Sequence, residues 1–217
     1  MNVFRAAQHP GWPAHLGPVR VASGQTVTMR PIRLRDAAAW ARIRIRDRHH
    51  LEPWEPTGRG TWEARNHASN WPSLWSSLKA EARHGAMIPL VIEVDGAFSG
   101  QLTIGNIVRG ALRSAWIGYW VAQEVGGHGV ATAALALGLD HCFGPVGLHR
   151  VEATVRPENH RSQSVLRNVG FREEGLLRRY LDVDGDWRDH LLVALTLEEV
   201  EGSFVERLAR SGRISLP

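Results

Sequence analysis

A run of glycines stands directly before an apolar helical pattern, with glycine at Gly126, Gly127 and Gly129. Glycine adopts positive φ without steric cost, so such a loop can turn its backbone N–H groups toward a ligand. Those N–H groups and the positive end of the helix dipole form a phosphate site that needs no charged side chain. The spacing predicts a pyrophosphate-binding loop, although a glycine-rich turn alone is as typical of a purely structural turn.

The glycine loop lacks the features of two common nucleotide sites. No Gly-Lys-Ser or Gly-Lys-Thr follows it, which argues against a Walker-type phosphate loop. The strand that leads into it, residues 114–121, belongs to a predicted antiparallel set, whereas a dinucleotide-binding fold requires a βαβ unit. A different phosphate-bearing ligand is therefore expected.

Alternating apolar residues predict the strands that position this loop. Residues 90–94 alternate with a period of two, and Asp95-Gly96 is a hairpin turn signal. Residues 98–107 and 114–121 complete the antiparallel set. Apolar residues at helical spacing from Ala131 to Cys142 then predict a helix.

The remaining elements complete a mixed fold. Further predicted strands cover residues 26–33, residues 151–155 and two segments joined at Asp184-Gly185. Predicted helical regions cover residues 36–48, 61–84, 161–168 and 197–210. The second of these regions is interrupted near Pro72, and the last is a polar helix. The order predicts an α+β fold with a mostly antiparallel sheet. Residues 1–22, rich in glycine and proline, are expected to form an irregular arm, and residues 23–217 a single domain.

Composition narrows the class of protein. Hydrophobic residues make up 43% and charged residues 22% of the 217 residues, as is typical of soluble globular proteins. No apolar run reaches the roughly 18 residues of a membrane span, and the N-terminus lacks the pattern of a secretory signal. The single Cys142 argues against a disulfide framework and suits a reducing compartment. A cytoplasmic protein without membrane contact is expected.

Charge, tryptophan and histidine give weaker indications. The formal net charge is +4, which favours acidic partners such as nucleic acid or a ribosome surface but also fits a solvated arginine-rich surface. Several of the nine tryptophans fall within residues 54–75, where they could build a core wall or a substrate groove. His49-His50 and His141-Cys142 lack the spacing of a metal site, so no metal is expected.

Five segments in order resemble the GCN5-related N-acetyltransferases (GNAT), specifically the ribosomal-protein-alanine acetyltransferase (RimJ/RimL) branch. They are Leu51-Glu-Pro-Trp-Glu-Pro56, Gly127-His-Gly-Val-Ala-Thr132, Asn159-x-x-Ser162, Val169-Gly-Phe-Arg-Glu-Glu-Gly175 and Asp184-Gly-Asp-Trp-Arg-Asp-His190. The resemblance extends over about residues 26–197. It implies a GNAT fold, in which two central strands splay apart in a V, and acetyl-CoA as co-substrate.

The resemblance also assigns cofactor-binding residues. It implies that the strand ending at Val121 splays from residues 151–155 and that pantetheine lies in the gap. The implied cofactor contacts are Tyr119, Trp120, Val121, Gly126, Gly127, His128, Gly129, Val130, Ala131, Thr132, Asn159 and Ser162. The family usually has Gln or Arg at the start of the loop, where this chain has Gly126. Recognition of the pyrophosphate is therefore expected to depend on backbone groups.

Catalytic residues are less completely specified. The resemblance places Ser162 near the departing sulfur as a candidate general acid, while the tyrosine that many members carry on that helix is replaced by Leu166. Sister enzymes can carry a glutamate base where this chain has Thr154. A relay through water to Glu152 or Glu93 is the remaining option, whereas structural pairing is the favoured role of both carboxylates.

The lack of an obvious general base in the sequence favours one class of acceptor. An α-amine has a pKa of about 7.7–8.0 and lysine about 10.4, so near pH 7.5 roughly a third of α-amines but only about one lysine in a thousand are neutral. This favours direct attack by a protein N-terminus, plausible for a ribosomal protein, with Trp54, Glu55 and Tyr180 as candidate acceptor contacts. The alternatives are an antibiotic or polyamine acetyltransferase and a non-catalytic CoA-binding ribosome-associated factor. A monomer or homodimer without direct DNA contact is expected.

Overall fold

Nine strands form one sheet in the computed structural model, which describes residues 10–199 and 201–216. The strands are β1 (Leu16–Val21), β2 (Thr26–Pro31), β3 (Ile88–Val94), β4 (Ala97–Val108), β5 (Ser114–Val121), β6 (Arg150–Val155), β7 (Arg172–Val183), β8 (Asp186–Thr196) and β9 (Ile214–Ser215). The helices are α1 (Ala37–Arg46), α2 (Arg48–Leu51), α3 (Trp62–Arg65), α4 (Trp71–Arg83), α5 (Val130–Phe143), α6 (His160–Asn168) and α7 (Phe204–Arg210).

The sheet has the order β7-β8-β6-β5-β4-β3-β2-β1-β9. Among these strands only β5 and β6 run parallel, and they pair over three residues, from Ser114 with Arg150 to Trp116 with Glu152. Beyond that point the two strands separate, whereas β4 stays paired with β5 as far as Val121. The α+β fold and the V-shaped splay between two central strands are confirmed.

Helix α5 covers one face of the sheet and begins directly after the glycine loop. Its residues are buried on nearly all sides, because the sheet lies beneath it while β1 and α7 pack against it. Gly138 permits a close approach, since a Cβ at this position would lie 3.3 Å from the side chains of Leu102 and Ile117. This packing fixes the start of α5 against the strands that end beside it.

The other face carries a second core built from tryptophans. Trp40 of α1 lies 5.2 Å from Trp71 of α4, centroid to centroid, and both pack with Val91. The Trp71 indole donates a hydrogen bond of 3.0 Å to the Arg33 carbonyl. Trp62 is also fully buried. Of the two interpretations of the tryptophan-rich segment at residues 54–75, a core wall therefore holds for Trp62 and Trp71.

Two predicted boundaries at the ends of the chain were wrong. Residues 16–21, expected to be irregular, form β1; Val19 and Val21 are buried there, and the register irregularity between Leu16 and Val19 accommodates Pro18. Of the rest of the predicted arm, residues 10–15 form turns and irregular backbone, and residues 1–9 lie outside the described residues. The final helix begins at Phe204 instead of residue 197, because the Asp140 carboxylate accepts hydrogen bonds from Ser203 and from the Phe204 backbone.

Two further details differ from the prediction. Helix α7 is not polar throughout, because Phe204 and Leu208 are each only 2% exposed and face the core. The break in the second helical region falls at residues 66–70, ahead of α4, and Pro72 lies in the first turn of α4, where its missing N–H costs nothing. Within the described parts of the chain, no helix has the length and apolar character needed to cross a membrane.

Candidate active site

A cavity of about 150 Å³ fills the gap where β5 and β6 separate. It is lined by residues from five regions, namely the segment after α2, strand β5, strand β6 with the residue that follows it, helix α6 with its N-cap, and strand β8. These residues are Trp54, Ile117, Gly118, Tyr119, Ala153, Thr154, Val155, Arg156, Asn159, Ser162, Leu166 and His190. The splay thus creates a polar pocket inside an otherwise continuous sheet.

The first turn of α6 places a serine in this cavity. Asn159 is the N-cap, and its side-chain oxygen accepts a hydrogen bond of 3.1 Å from the Ser162 backbone N–H. An Asn followed three residues later by Ser therefore fixes where the helix starts and where Ser162 points. The cap also leaves the two N–H groups of the Asn159 amide available to a ligand.

Tyr119 crosses the splay from β5 to meet this serine. Its hydroxyl lies 3.0 Å from the Ser162 hydroxyl, so the two form a hydrogen bond within the cavity. Burial raises the pKa of Tyr119 to about 12, and the phenol therefore remains protonated and able to donate at neutral pH. Leu166, which occupies the position of the family's usual tyrosine, lines the same cavity.

His190 of β8 forms part of the opposite wall. It is 4% exposed, and its Nδ1 lies 3.1 Å from the Arg188 carbonyl oxygen. Burial lowers the pKa of His190, so the neutral imidazole predominates at neutral pH. Tyr180 packs against the imidazole in an edge-on arrangement, with the ring centroids 5.7 Å apart.

The segment after α2 closes one side of the cavity. Arg156 lies 5.4 Å above the Trp54 ring and donates a hydrogen bond of 3.0 Å to the Pro53 carbonyl. The backbone N–H of Thr57 donates to the Asp182 carbonyl at 2.9 Å, which ties the segment to the β7–β8 hairpin. The Trp54 wall is thereby anchored at both ends.

The glycine loop follows β5 at the end where the splay is open. Gly127 and Gly129 have φ values of +79° and +84°, and Gly129 is the N-cap of α5. No side chain caps α5 among the residues that the structure describes. The first N–H groups of the helix therefore remain for an anion or water, as the phosphate-loop prediction requires.

Comparison with known proteins places this geometry in a family. Residues 26–172 match the acetyltransferase (GNAT) domain. The chain belongs to the GNAT acetyltransferase family. The family, the fold and the acetyltransferase activity predicted from the sequence are confirmed.

Several members of the GNAT family are similar to this chain over most of its length. The [ribosomal protein uS5]-alanine N-acetyltransferase of Escherichia coli is 30% identical, covering 86% of this chain and 95% of that protein. The structure of Mycobacterium smegmatis RimJ in complex with CoA-disulfide is 64% identical with a TM-score of 0.94, covering 96% of this chain and all of that one. The structure of ribosomal-protein-S5-alanine acetyltransferase from Vibrio fischeri is 28% identical with a TM-score of 0.73, covering 81% and 96% of the two chains.

In a GNAT acetyltransferase the predicted site residues are expected to lie together at the β5–β6 splay, and several of them do. Trp54, Tyr119, Asn159 and Ser162 line one cavity. Trp120 and Val121 do not, since the Trp120 indole donates to Gln101 at 3.2 Å on the α1 side. Val121 pairs with Gly100 in β4.

The other predicted acceptor and base residues lie elsewhere. Glu55 accepts a 3.0 Å ion-pair hydrogen bond from Arg44, and Tyr180 lies behind His190 at 48% exposure. Glu93 bonds Arg30 at 2.7 Å, and Glu152 bonds Arg150 at 2.5 Å. Neither glutamate lines the cavity.

Sequence reasoning missed the two ionisable side chains of the cavity, His190 and Arg156. Both lay inside or beside segments quoted for the family resemblance, but no residue type in those segments indicated which side chains turn inward. For His190 the available signal was the alternation along β8, where His190, Leu192 and Ala194 share a face with Thr154, the cross-strand partner of Leu192. That alternation becomes informative only when the register with β6 is known.

Proposed function

We propose that this chain transfers the acetyl group of acetyl-CoA to the N-terminal α-amine of a protein, with an N-terminal alanine of a ribosomal protein as the favoured acceptor. The observation that supports this most directly is the cavity in the β5–β6 splay, where Ser162 and Tyr119 meet beyond an uncapped helix start. The substrate class follows the relatives, which include alanine acetyltransferases of ribosomal protein uS5.

Two parts of the chain would bind acetyl-CoA. The pyrophosphate would lie on the backbone N–H groups of the loop and the first turn of α5, at residues 127–132. Pantetheine would enter the splay, where the β5 backbone around Tyr119 and the Asn159 amide offer donors and acceptors. Thr132 and Val130 have buried side chains, so their backbone groups rather than their side chains would face the ligand.

The chemistry is a direct attack by the amine on the thioester carbonyl within a ternary complex. As the carbon–sulfur bond breaks, negative charge develops on sulfur, and the Ser162 hydroxyl donates a hydrogen bond to it. Tyr119 donates to Ser162 in turn, so that two hydroxyls form a donor chain ending at the sulfur. A second tyrosine on α6 is then unnecessary, which accounts for Leu166.

An acceptor panel tests this function. Calorimetry should first detect binding of CoA, and a thiol-release assay should then detect turnover with peptides that begin with alanine, including the N-terminal peptide of ribosomal protein uS5. The same peptides with a blocked α-amine and an internal lysine, and spermidine as a small amine, should react far more slowly. Turnover restricted to small amines would replace the proposal with a small-molecule acetyltransferase, and absence of CoA binding would end it.

Removal of the two hydroxyls should affect turnover unequally. Ser162→Ala is expected to lower kcat about 10- to 100-fold, at or below the lower end of the usual range for general acids, because a thiolate leaves readily. Tyr119→Phe should lower kcat about threefold to tenfold, the worth of one buried hydrogen bond. Because Tyr119 acts through Ser162, the double variant should be no slower than Ser162→Ala alone.

Calorimetric affinity for CoA serves as the control for these variants. It should change little, since both hydroxyls are proposed to act on a charge that appears only during the reaction. Additive losses in the double variant would contradict a donor chain, and an unchanged kcat in Ser162→Ala would exclude the serine from the reaction.

A further inference from the structure

A histidine with an available ring nitrogen lines the cavity that holds the Ser162–Tyr119 pair. His190 lines the same cavity as both hydroxyls but comes from β8, on the far side of β6. None of the hydrogen bonds among the described residues involves its Nε2. A direct attack on a thioester requires a group that takes the amine proton, and the two glutamates considered from the sequence are bound to arginines outside the cavity.

The hydrogen bond at Nδ1 determines which nitrogen is basic. The partner of Nδ1 is the Arg188 carbonyl oxygen, 3.1 Å away, and a carbonyl oxygen can only accept. Nδ1 must therefore hold the proton in the neutral ring. Nε2 then carries a lone pair, and the backbone contact fixes the orientation in which it is presented.

The groups around His190 keep it neutral. Arg156, from the end of β6, disfavours its protonated form, whereas Glu158 and the adjacent Asp189 favour it. Burial outweighs the two carboxylates, and the pKa of His190 is lowered. Asp189 is itself engaged, because its carboxylate accepts a 2.8 Å hydrogen bond from the Arg179 backbone N–H. Tyr180 covers the ring from β7 without offering it a charge.

We propose, on the basis of the proposed function, that His190 is the general base that accepts the amine proton during acetyl transfer. The neutral amine nitrogen bonds to the acetyl carbon while one of its N–H protons passes to Nε2, directly or through one water. The carbon–sulfur bond then breaks with its electron pair on sulfur. The sulfur takes the Ser162 hydroxyl proton, solvent returns a proton to Ser162, and Nε2 releases its own proton to solvent, so that the products are the N-acetyl peptide and the free thiol.

His50 is half-buried near the end of β5, and its geometry does not fit this role. It donates to the backbone of Val121, close to Arg161, and it does not line the cavity. The cavity wall therefore singles out His190.

A pH profile of kcat/KM tests the assignment in the intact enzyme. With a uS5 N-terminal peptide, ionisation of the amine alone gives a slope of one below about pH 7.7. The wild type should steepen to a slope of two below the pKa of His190, which lies under its ordinary value of 6.5. A wild-type profile that keeps a slope of one down to pH 5 would overturn the proposal without any variant.

His190→Asn provides the matched comparison. Its amide can still donate to the Arg188 carbonyl but offers no basic nitrogen. The variant should lose about 100-fold in kcat/KM at pH 7.5, keep a slope of one throughout, and approach the wild type as the pH falls. A loss that is the same at every pH would indicate a positioning role and contradict the proposal.

Two controls separate this result from misfolding and from failure of the proposed function. CoA affinity measured by calorimetry should match the wild type in His190→Asn, and His149→Asn, where the histidine pairs with Glu198 outside the cavity, should retain full activity. Exogenous imidazole should partly restore His190→Ala, whereas a merely structural side chain would not be rescued. If the wild type is active and His190→Asn is fully active as well, only the assignment of His190 as general base is overturned. If the wild type is inactive on every α-amine peptide, the proposed function itself is overturned.

Discussion

Replacing Gly129 with valine is expected to weaken CoA binding by about tenfold or more. Gly129 has φ of +84°, a left-handed backbone that costs other residues roughly 1–2 kcal/mol and β-branched residues more. The loop can relieve this strain only by leaving the conformation in which the first N–H groups of α5 face the pyrophosphate. Since about 1.4 kcal/mol corresponds to tenfold in affinity, calorimetry with CoA should detect the change readily.

Gly24→Val is the matched control for this substitution. Gly24 has φ of +88° in the turn between β1 and β2, so valine meets the same backbone strain there. A Cβ would have no neighbour within 4 Å at Gly24 and an ordinary 3.8 Å contact with Val21 at Gly129. Both variants should lose similar stability, and only Gly129→Val should lose CoA affinity. Equal CoA binding in the two variants would remove the loop from the cofactor site.

The parts of the site that were predictable from the sequence are those specified by local backbone chemistry. Glycines at positive φ ahead of an apolar helical stripe indicate an uncapped helix start, and this holds for Gly127 and Gly129 whatever surrounds them. Asn159 followed by Ser162 indicates a helix N-terminus in the same way. In both cases the residues that identify the element are the same residues that adopt its backbone geometry. The sequence alone therefore predicts the element.

The proton-accepting side of the site depends on contacts between distant segments. Glu93 appeared available from the sequence, but Arg30, 63 residues away, binds it in the folded chain. His190 appeared unremarkable until the register of β8 against β6 placed it in the same cavity as Tyr119. Strand pairing partners are not encoded in periodicity alone, because a shift of one residue exchanges the two faces of a strand.

The same limitation explains the wrong prediction at residues 16–21. Gly17 and Pro18 are typical of loops, and local chemistry argues against a strand. Two features of the assembled sheet outweigh that preference. Pro18 precedes the Arg20–Val21 pairing with β9 at a register irregularity next to the edge of the sheet, and Val19 and Val21 are buried beneath α5. Tertiary burial of apolar side chains therefore overrides local propensity at this edge of the sheet.

Replacing Trp62 with alanine is expected to lower the free energy of unfolding by about 3–5 kcal/mol. The side chain is fully buried, its indole donates a 2.7 Å hydrogen bond to the Arg44 carbonyl, and the Arg44 guanidinium lies 4.9 Å above its ring. Truncation leaves a large cavity and exposes one side of a buried cation. Denaturant unfolding should detect the loss, and Trp187→Ala, at a position 60% exposed on the β7–β8 hairpin, should change stability by no more than about 0.5 kcal/mol.

The Trp62 substitution should also affect binding of the acceptor peptide. Arg44 binds Glu55 at 3.0 Å, and Glu55 follows Trp54, the wall residue of the cavity. Once Arg44 loses the nearest of the three indoles that contact its guanidinium, the segment from Pro53 to Pro56 should become less well ordered while α5 and its loop keep their packing. At a temperature where Trp62→Ala is still folded, KM for the acceptor peptide should therefore rise with CoA affinity unchanged. A parallel loss of CoA affinity would indicate that the two halves of the site are not mechanically separate.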